Sequence, residues 1–524
     1  MTSNRIYCRR RCRPFVSYVA LSVFLMLLLP SNLPVHGEFY SSIDSLKRLD
    51  SIESSLLLSF RKYSEGLEDY ISIIRRFMER IKFQHEKAEQ DLEDYLGNPI
   101  NAFTLIERVV RDWKDVADLL RFNDVSEELM DSLTQLRKKS PLPDENELRG
   151  AILGLARLQD IYDIDPEDMA NGKGYGQPLN WRECLEIATT LMDEFRMDLA
   201  VNWLQQADRK LQNSNDSADI KDYFATQIKE HLARVHHSMG DKEKAQQHLN
   251  AISKNADTKL TMKMLNRLTY DKEKYTPFKE SDRHQNYARL CQGKSKNITK
   301  LSCYLDSKIH PYFVLNPLQV EPLLMEPYIR LYHNLLNDEQ VTKLFDHAKQ
   351  RFFRSEVIKA PGENEVTEKR VSQQTWVAPR ETPISAYMYR LVGLITGFNM
   401  TNVEQMQVAN YGIGGLYVPH YDYMNNTELV AGLYGDRITT SMFYLSDVTQ
   451  GGYTIFPELD VYLKPVKGAM VMWPNLHRSV DPDPRTLHGG CPVLKGTKRI
   501  ANIWSHSGFQ DIARPCGLTN DAIL

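Results

Sequence analysis

The C-terminal half of the chain contains a His-x-Asp pair, His420 and Asp422, whose side chains could bind a metal ion. In a β-strand, residues i and i+2 point to the same face of the sheet, so the imidazole and the carboxylate can converge on one ion. One more histidine would complete the two-histidine, one-carboxylate ligand set of non-haem Fe(II) oxygenases. The pair alone is weak evidence, because this spacing arises by chance in many chains of similar length.

Two downstream histidines, His477 and His488, are candidates for the third ligand. The segment after His477, residues 478–487, is rich in Pro, Asp and Arg and predicts a loop. His488 instead precedes Lys498, which falls in a predicted strand, and a fixed cation beside the metal would neutralise the distal carboxylate of a 2-oxoglutarate co-substrate. We therefore favour His488, and the alternative is that these histidines are unconnected loop residues.

A β-rich region must position these side chains. Residues 405–506 contain β-branched and aromatic runs separated by Gly and Pro, a pattern typical of short strands. Strands at this density predict an all-β sandwich or barrel such as a jelly roll. The predicted strands are Met406–Tyr411, Tyr417–Tyr423, Thr439–Asp447, Tyr453–Phe456, Ala469–Trp473 and Arg499–Ser505.

The segment from Glu38 to about Ser140 has a helical pattern. The sequence Gly97-Asn98-Pro99 predicts the end of one long helix in this segment. Its apolar positions follow one another at alternating spacings of four and three, which is typical of a coiled-coil seam. We interpret this as a self-association helix, with an intramolecular helical hairpin as the alternative. The seam comprises Leu67, Ile71, Ile74, Met78, Ile81, His85, Ala88, Leu92 and Tyr95.

Residues 144–255, which follow Pro141-Leu142-Pro143, also have a helical pattern. Ala200 and Ala207 lie seven residues apart in one predicted helix pair, and a second pair contains the turn 240–245. This placement of small residues is similar to that of tetratricopeptide repeats, whose helix pairs form concave surfaces for extended peptides. Ordinary helical packing is the alternative.

The first 37 residues have the pattern of a signal peptide. A cluster of arginines precedes the apolar run Phe15–Leu29, and a plausible cleavage site lies before Glu38. A signal anchor is the alternative. The C-terminal residues Asp521–Leu524 do not form an endoplasmic reticulum retrieval signal.

The cysteines and glycosylation motifs fit a secretory route. Cys8 and Cys12 would leave with the signal peptide, and two local pairs suggest themselves in an oxidising lumen, although sequence alone does not establish the connectivity. These pairs are Cys291 with Cys303 and Cys491 with Cys516, and Cys184 has no partner in this scheme. Four Asn-x-Ser/Thr motifs are candidate glycosylation sites, at Asn215, Asn297, Asn399 and Asn425.

Length and composition exclude several classes of protein. The 524 residues correspond to three or four domains at roughly 150 residues each. The formal net charge of −3 offers no electrostatic case for nucleic acid. Hydrophobic residues at 42% and charged residues at 25% are ordinary globular values and exclude a collagen-like, disordered or polytopic membrane chain.

Several long motifs resemble the catalytic signature of the collagen prolyl 4-hydroxylase α-subunit family. The motifs are Gln407–Gly415, Tyr417–Asp422, Phe443–Val448 with Gly451-Gly452, and Cys491–Leu494 before Gly496 and Lys498. They occur in the family's order, and the three-zone layout is similar too, so the resemblance covers nearly the whole mature chain.

The resemblance implies a procollagen-proline 4-dioxygenase. Such an enzyme hydroxylates C4 of proline in X-Pro-Gly sequences and decarboxylates 2-oxoglutarate to succinate, using Fe2+, O2 and L-ascorbate in the endoplasmic reticulum lumen. The resemblance also implies roles for single residues. Iron would be bound by His420, Asp422 and His488, the 2-oxoglutarate carboxylate by Lys498, and the same pocket would include Tyr411 and His506.

The family's organisation implies an α+β multidomain chain that works in a complex. Its α subunits pair through the N-terminal region, and each binds a protein disulfide isomerase as β subunit in an α2β2 tetramer. The family's disulfides fall where the two local cysteine pairs stand. The expected parts are a signal peptide (1–37), a helical coiled-coil dimerisation domain (38–140), a TPR-like peptide-substrate-binding domain (141–255), a linker region with a local disulfide (256–330) and a double-stranded β-helix, or jelly-roll, dioxygenase domain (331–524).

The departures from the family pattern affect the substrate more than the chemistry. Where the family's second helix pair presents tyrosines, this chain has His231, Arg234 and His237, and Arg499 stands where the family commonly has Trp. Tyrosine faces stack well on polyproline II peptides, whereas His and Arg stack less and add charge. Two alternatives therefore remain, a related oxygenase acting on a non-collagen peptide and a non-catalytic peptide-binding subunit.

Overall fold

The computed structural model describes residues 43–64, 71–89, 91–114, 134, 143–252, 282–296, 301–360, 363–365, 367–401, 403–424, 435–510, 515 and 517–520. The predicted signal peptide, Asn297, Asn425 and Cys516 lie outside these described residues. Within this part of the chain, no helix has the length and apolar character needed to cross a membrane.

The N-terminal region is helical, as expected. Its helices are α1 (Ile43–Ser64), α2 (Ile71–Ala88), α3 (Leu92–Leu96) and α4 (Pro99–Glu107), the last followed by the π-helical turn Arg108–Asp112. Helix α1 packs against α2, and the described seam positions Ile74, Ile81 and Ala88 are buried by the chain itself. Burial of the seam within one chain favours the intramolecular hairpin over the coiled coil.

A buried ion network explains the polar break in that seam. The Nδ1 atom of His85 lies 2.8 Å from an Asp50 carboxylate oxygen, and Arg108 Nε donates to Glu53 at 2.9 Å. Burial alone would lower the pKa of His85, but its bonds to Asp50 and Glu53 raise the pKa to about 9. His85 is therefore a charged member of the core at neutral pH rather than a gap in it.

The middle region consists of α5 (Glu145–Tyr162), α6 (Pro166–Ala170), α7 (Trp181–Asp193), α8 (Met197–Gln212), α9 (Ala218–Ser238) and α10 (Lys242–Asn250). Helices α7 and α8 pack together, as do α9 and α10, and each pair is joined by a short turn. Ala200, Ala207 and Ala245 are buried in these pairs, where small side chains let helices approach closely. The sequence pattern had predicted helix pairs at these positions.

The C-terminal region is built of antiparallel strands with three helices. The helices are α11 (Asp282–Cys291), α12 (Asp338–Lys349) and α13 (Pro383–Thr396). The strands are β1 (Tyr304–Asp306), β2 (Leu318–Met325), β3 (Tyr328–His333), β4 (Phe353–Arg354), β5 (Val357–Ala360), β6 (Glu363–Glu365), β7 (Gln373–Val377), β8 (Met406–Tyr411), β9 (Tyr417–His420), β10 (Arg437–Tyr444), β11 (Gln450–Gly451), β12 (Thr454–Phe456), β13 (Val461–Leu463), β14 (Met470–Pro474), β15 (His488–Gly490), β16 (Val493–Lys495) and β17 (Lys498–His506).

Two sheets form the layers of this region, in agreement with the expected jelly roll. A nine-stranded sheet has the order β1-β2-β3-β14-β10-β17-β8-β7-β4, and a four-stranded sheet has the order β13-β12-β15-β9. Tyr444 of the large sheet and Phe456 of the small sheet belong to one core. The neighbouring Phe443 packs with α12 and α13 on the other face, as the two-residue period of a strand requires.

The large sheet begins earlier than the expected boundary at residue 331. Strands β1 and β2, which lie in the segment expected to be a linker, pair with each other, and β2 also pairs with β3. The three-residue β1 is too short to give a pattern, and Pro322 interrupts the alternation of β2, so the sequence pattern of this edge of the sheet is weak.

The predicted local disulfides are corrected by the structure. Cys291 at the end of α11 is bonded to Cys491 across 200 residues of sequence, and Cys303 is a free, exposed thiol. Cysteine spacing indicates only which thiols are near along the chain, whereas α11 packs against β12 and so brings Cys291 to Cys491, which lies between β15 and β16. Cys184 is free and fully buried in the middle region.

The pairing predicts which cysteine matters for stability. Cys491→Ser should lower the free energy of unfolding by about 2–5 kcal/mol, because the crosslink closes a long loop. Cys303→Ser, the control, should leave thermal unfolding unchanged. Peptide mapping without reductant should recover a 291–491 crosslink, and recovery of a 291–303 crosslink instead would overturn the assignment.

Candidate metal centre and co-substrate pocket

The pairing of two strands brings the candidate metal ligands together. Strands β9 and β15 are antiparallel neighbours in which His420 lies opposite His488. A Cβ atom at Gly489 would lie 3.1 Å from the Tyr417 carbonyl oxygen, so glycine lets β15 approach β9 closely. Ligand atoms of His420, Asp422 and His488 all lie within 4.8 Å of one another.

Both imidazoles are oriented by backbone carbonyl groups. His420 Nδ1 donates to the Val418 carbonyl at 2.9 Å, and His488 Nδ1 donates to the Thr486 carbonyl at 3.0 Å. These bonds leave each Nε2 lone pair free to face a cation, which is the arrangement found in metal-binding histidines. Burial lowers the pKa of His420 to about 3, so this imidazole is neutral and able to act as a ligand at physiological pH.

Asp422 reaches the cluster in a way that the sequence did not predict. Strand β9 ends at His420, and Asp422 lies in the bend that follows. Its carboxylate accepts hydrogen bonds from Thr440 Oγ1 at 2.6 Å and from Trp504 Nε1 at 3.0 Å. Burial alone would raise the pKa of Asp422, but the two imidazoles, Arg437 and the Thr440 bond outweigh it and hold the pKa below its usual range.

The three groups have the chemistry needed to bind a divalent cation. Asp422 Oδ1 lies 3.7 Å from His420 Nε2, and Asp422 Oδ2 lies 3.5 Å from His488 Nε2. One carboxylate and two imidazoles around a single position match the two-histidine, one-carboxylate set of Fe(II) oxygenases. His477 lies elsewhere, with Nε2 3.8 Å from Asp483.

Lys498 is buried and has no anionic partner among the described residues. Its side chain is 3% exposed, and Nζ donates to Thr454 Oγ1 at 3.1 Å. No carboxylate in the described part of the chain forms an ion pair with this ammonium group. Burial lowers the pKa of Lys498 to about 7. Burying an unpaired cation is unfavourable, so its presence here indicates a binding site for an anionic ligand.

Aromatic side chains surround the ammonium group. The rings of Tyr411 and Tyr444 have their centroids 5.9 Å and 6.0 Å from Lys498 Nζ. Tyr411 is paired with Lys498 across β8 and β17, so the two sequence-predicted residues do lie side by side. On the metal side, Tyr417 stacks on His420 at 3.5 Å between ring centroids.

His506, the other predicted pocket residue, is engaged in a separate network. Its Nδ1 donates to the Gly435 carbonyl at 2.8 Å, and its Nε2 lies 2.9 Å from a Glu404 carboxylate oxygen. Glu404 also binds Arg437, whose guanidinium group stacks over Trp504 at 3.8 Å. The network therefore supports the indole that donates to Asp422.

The groups that orient the metal ligands and Lys498 were not predicted from the sequence. Thr440, Trp504 and Thr454 are far from their partners along the chain, and no local motif marks them. Only the position of Trp504 could have been inferred from strand parity. Trp504 lies on β17 an even number of residues from Lys498, so the two side chains share one face of the strand. Arg370, stacked over Tyr417 at 4.7 Å, had no signal at all.

A large cavity opens beside the metal cluster. It has a volume of 1240 Å³ and lies between α5, α11 and the catalytic strands. His420 and Tyr421 line it on one side, and Arg157 and Asp160 of α5 line it on the other. An ion pair of 2.5 Å joins Arg157 to Glu368 across this boundary.

Two protein families match the chain. Residues 42–176 match the N-terminal region of the prolyl 4-hydroxylase α subunit, and residues 406–506 match the 2OG-Fe(II) oxygenase superfamily. The second match covers the whole ligand cluster and Lys498. The strands and the site thus define the C-terminal region as a domain of the 2OG-Fe(II) oxygenase superfamily.

Similarity to individual proteins extends along the chain. Prolyl 4-hydroxylase subunit alpha-1 from Homo sapiens is 30% identical over 94% of this chain and 98% of its own length. Subunit alpha-2 from Gallus gallus is 29% identical over 92% and 96%, respectively. The chain belongs to the prolyl 4-hydroxylase α-subunit family. A viral collagen prolyl hydroxylase structure from Paramecium Bursaria Chlorella virus-1, solved as a 2OG complex, is 28% identical over 34% of this chain and 94% of that chain, with a TM-score of 0.29.

The ligand geometry predicts different effects for the two histidines considered from sequence. His488→Ala should abolish stoichiometric Fe(II) binding, because only two ligands would remain. His477→Ala, the matched control, should bind iron as the unchanged chain does. Anaerobic iron titration followed by metal analysis measures this, and the reverse result would reject the ligand set.

Proposed function

We propose that the chain is the catalytic α subunit of a procollagen-proline 4-dioxygenase, which hydroxylates C4 of proline in X-Pro-Gly peptides. The observation that carries the proposal is the buried ammonium of Lys498 without an acidic partner, in the same domain as the His420, Asp422 and His488 cluster. A site for a metal and a dicarboxylate is what a 2-oxoglutarate oxygenase requires. The family membership supports the proline substrate.

The proposal assigns a role to each group in the site. His420, Asp422 and His488 would hold Fe2+ through two neutral nitrogens and one carboxylate. Lys498 would bind the distal carboxylate of 2-oxoglutarate, with Tyr411 beside it. When bound, iron and 2-oxoglutarate supply the oxidising chemistry from O2, with succinate as co-product and L-ascorbate as the reductant that restores the metal.

The chain's own residues position and shield that chemistry. Thr440 and Trp504 hold the Asp422 carboxylate so that one edge faces the ion. Tyr417 stacks on His420 and so helps to fix the orientation of this imidazole. Side chains fixed in this way need little reorganisation during turnover.

Lys498 makes 2-oxoglutarate binding sensitive to pH. With a pKa of about 7 in the free chain, the ammonium loses its proton as pH rises above 7. The dicarboxylate favours the charged lysine, so binding should take up a proton, and the dissociation constant should rise roughly tenfold between pH 7 and 8.5. Calorimetry with the Mn2+-loaded chain in buffers of different ionisation enthalpy measures both effects.

An arginine at this position is the matched control. Lys498→Arg stays charged throughout this range, so any remaining 2-oxoglutarate binding should not weaken with pH. Equal pH dependence in both proteins would show that another group is responsible.

The peptide is proposed to pass from the middle helices to the cavity beside the metal. We take residues 141–255 as a TPR-like peptide-binding domain, with the helix pairs α7–α8 and α9–α10 as its repeats. Helix α5 joins this domain to the cavity through Arg157 and Asp160. On α9, the half-buried His231, Arg234 and His237 stand where tyrosines are expected.

These substitutions predict weak peptide binding. The double variant His231→Tyr with His237→Tyr should bind (Pro-Pro-Gly) repeats roughly fivefold more tightly than the unchanged chain, because tyrosine rings stack on proline. Titration calorimetry measures this, with Lys242→Tyr on α10 as a control for a tyrosine added outside the pair. Unchanged or weaker binding would indicate a different peptide class.

The remaining parts of the proposal concern assembly and location. We propose a signal peptide at 1–37, pairing of α subunits through residues 38–140, a linking segment within 256–330, and a dioxygenase domain whose core is 331–524. Exposed Leu58 and Phe83 on α1 and α2 offer apolar contacts for such pairing. A protein disulfide isomerase as β subunit would retain the α2β2 tetramer in the endoplasmic reticulum lumen. Asn215 and Asn399 are exposed candidates for glycosylation there.

One experiment tests the whole proposal. The chain is co-expressed with a protein disulfide isomerase, and succinate release is measured with and without (Pro-Pro-Gly) repeats. Stimulation by the repeats supports the collagen substrate. Turnover without stimulation would favour a non-collagen peptide, which the residues on α9 motivate, and absence of turnover with iron bound would indicate a non-catalytic subunit.

A further inference from the structure

The short segment that leads to Lys498 touches the N-terminal helical region. Strand β16 ends at Lys495, and the turn through Gly496 leads to β17, which begins at Lys498. The Gly496 amide donates to the carbonyl of Gly97 at 2.9 Å. Gly97 ends helix α3 and lies more than 390 residues before Gly496 in the sequence.

The two backbones are too close for a side chain at Gly97. A Cβ atom there would lie 2.7 Å from the Glu93 carbonyl oxygen of α3 and 2.8 Å from the Gly496 nitrogen. Real Cβ atoms do not approach backbone this closely, so any larger residue must move the turn before Lys498 or move α3. Gly496 itself has a φ of +96°, a conformation that favours glycine.

Ion pairs on both sides of this contact join the N-terminal helical region to the strands around Lys498. Lys495 Nζ lies 2.8 Å from an Asp94 carboxylate oxygen of α3. Arg499 lies 3.7 Å from an Asp44 carboxylate oxygen of α1, and its guanidinium group stacks on Phe345 at 4.0 Å. The acidic side chains belong to the N-terminal region and the basic ones flank Lys498, so the charges are complementary.

The contact is connected to Lys498 through rigid neighbours. Thr497 Oγ1 donates to the Asn410 side chain at 2.9 Å, and the Thr497 carbonyl accepts from Ser446 Oγ at 2.9 Å. The Arg499 amide donates to the same Ser446 oxygen at 2.9 Å. The residues on either side of Lys498 are thus held, and a shift of the Gly496 turn would be passed to the lysine.

We propose that the N-terminal helical region is a positioning element for the 2-oxoglutarate site, acting through the Gly97–Gly496 contact and the Asp94–Lys495 ion pair. Asp94, Gly97 and Lys495 are positioning residues, since none of them faces the pocket. The inference rests on the proposed role of Lys498. It means that a partner bound to the N-terminal region can change the affinity for the co-substrate.

The test measures equilibrium binding of 2-oxoglutarate to the full chain loaded with Mn2+, so that no turnover is needed. Asp94→Lys and Lys495→Asp should each raise the dissociation constant roughly threefold, as expected for loss of a partly exposed ion pair. The charge-swapped double variant should restore the original value. Gly97→Ala should raise it about fivefold, because the new methyl group displaces the Gly496 hydrogen bond.

The controls separate positioning from general damage. Glu86→Lys makes the same charge change on an exposed face of α2 and should leave 2-oxoglutarate binding unchanged. In the positioning variants, KM for 2-oxoglutarate should rise while kcat and KM for the peptide stay within about twofold. Single variants that weaken binding without restoration in the charge-swapped chain would reject the inference.

Lys498→Ala distinguishes failure of the inference from failure of the proposed function. If Lys498→Ala abolishes 2-oxoglutarate binding while Asp94→Lys and Gly97→Ala have no effect, the N-terminal contact is only structural and the proposed site stands. If Lys498→Ala leaves binding unchanged, the proposed site and the positioning role are both overturned.

Discussion

The antiparallel pairing of β9 and β15 is the constraint on which the site depends. It places His420 opposite His488, so two ligands distant in sequence meet at one register position. Because side chains alternate between the faces of a strand, a slip of one residue would turn one imidazole away from the other. The small sheet is therefore held firmly. Tyr287 of α11 donates to the Gly490 carbonyl at 3.1 Å, and Tyr162 of α5 donates to the Pro492 carbonyl at 2.5 Å.

The two buried charged groups of the site, Asp422 and Lys498, differ in how far their surroundings stabilise the charge. Asp422 receives hydrogen bonds from Thr440 and Trp504 and lies between two imidazoles, so its negative charge is stabilised before a metal binds. Lys498 donates one hydrogen bond, to the Thr454 hydroxyl, and no carboxylate in the described part of the chain pairs with it, so burial lowers its pKa. Leaving a cation in this state costs stability, and a carboxylate ligand would offset the cost. Because of this asymmetry, the predicted pH dependence of 2-oxoglutarate binding is assigned to the lysine rather than to the aspartate.

Local features of the fold were predictable from sequence and non-local ones were not. The strand Met406–Tyr411 was predicted with its observed bounds, because its run of strand-forming residues is short and ends directly before Gly412. The His488 ligand was predicted from its neighbourhood with Lys498. In contrast, the Cys291–Cys491 bond and the Trp504 bond to Asp422 depend on how distant elements pack, and spacing along the chain contains no information on that. His85 interrupts an otherwise apolar seam, and only its packing against Asp50 and Glu53 explains why.

The parts of the chain are less independent than their sequence patterns indicate. The stretch from His488 to Arg499 carries the third ligand and the lysine, and each earlier part of the chain contacts it. Helix α11 is bonded to Cys491, α5 reaches Pro492, and α3 meets Gly496. A stretch with short strands and several glycines has little intrinsic rigidity, so these outside contacts must supply it. Contacts from three separate helices therefore hold the stretch that contributes the third ligand and the lysine, and the positioning role proposed for the N-terminal region is one case of this dependence.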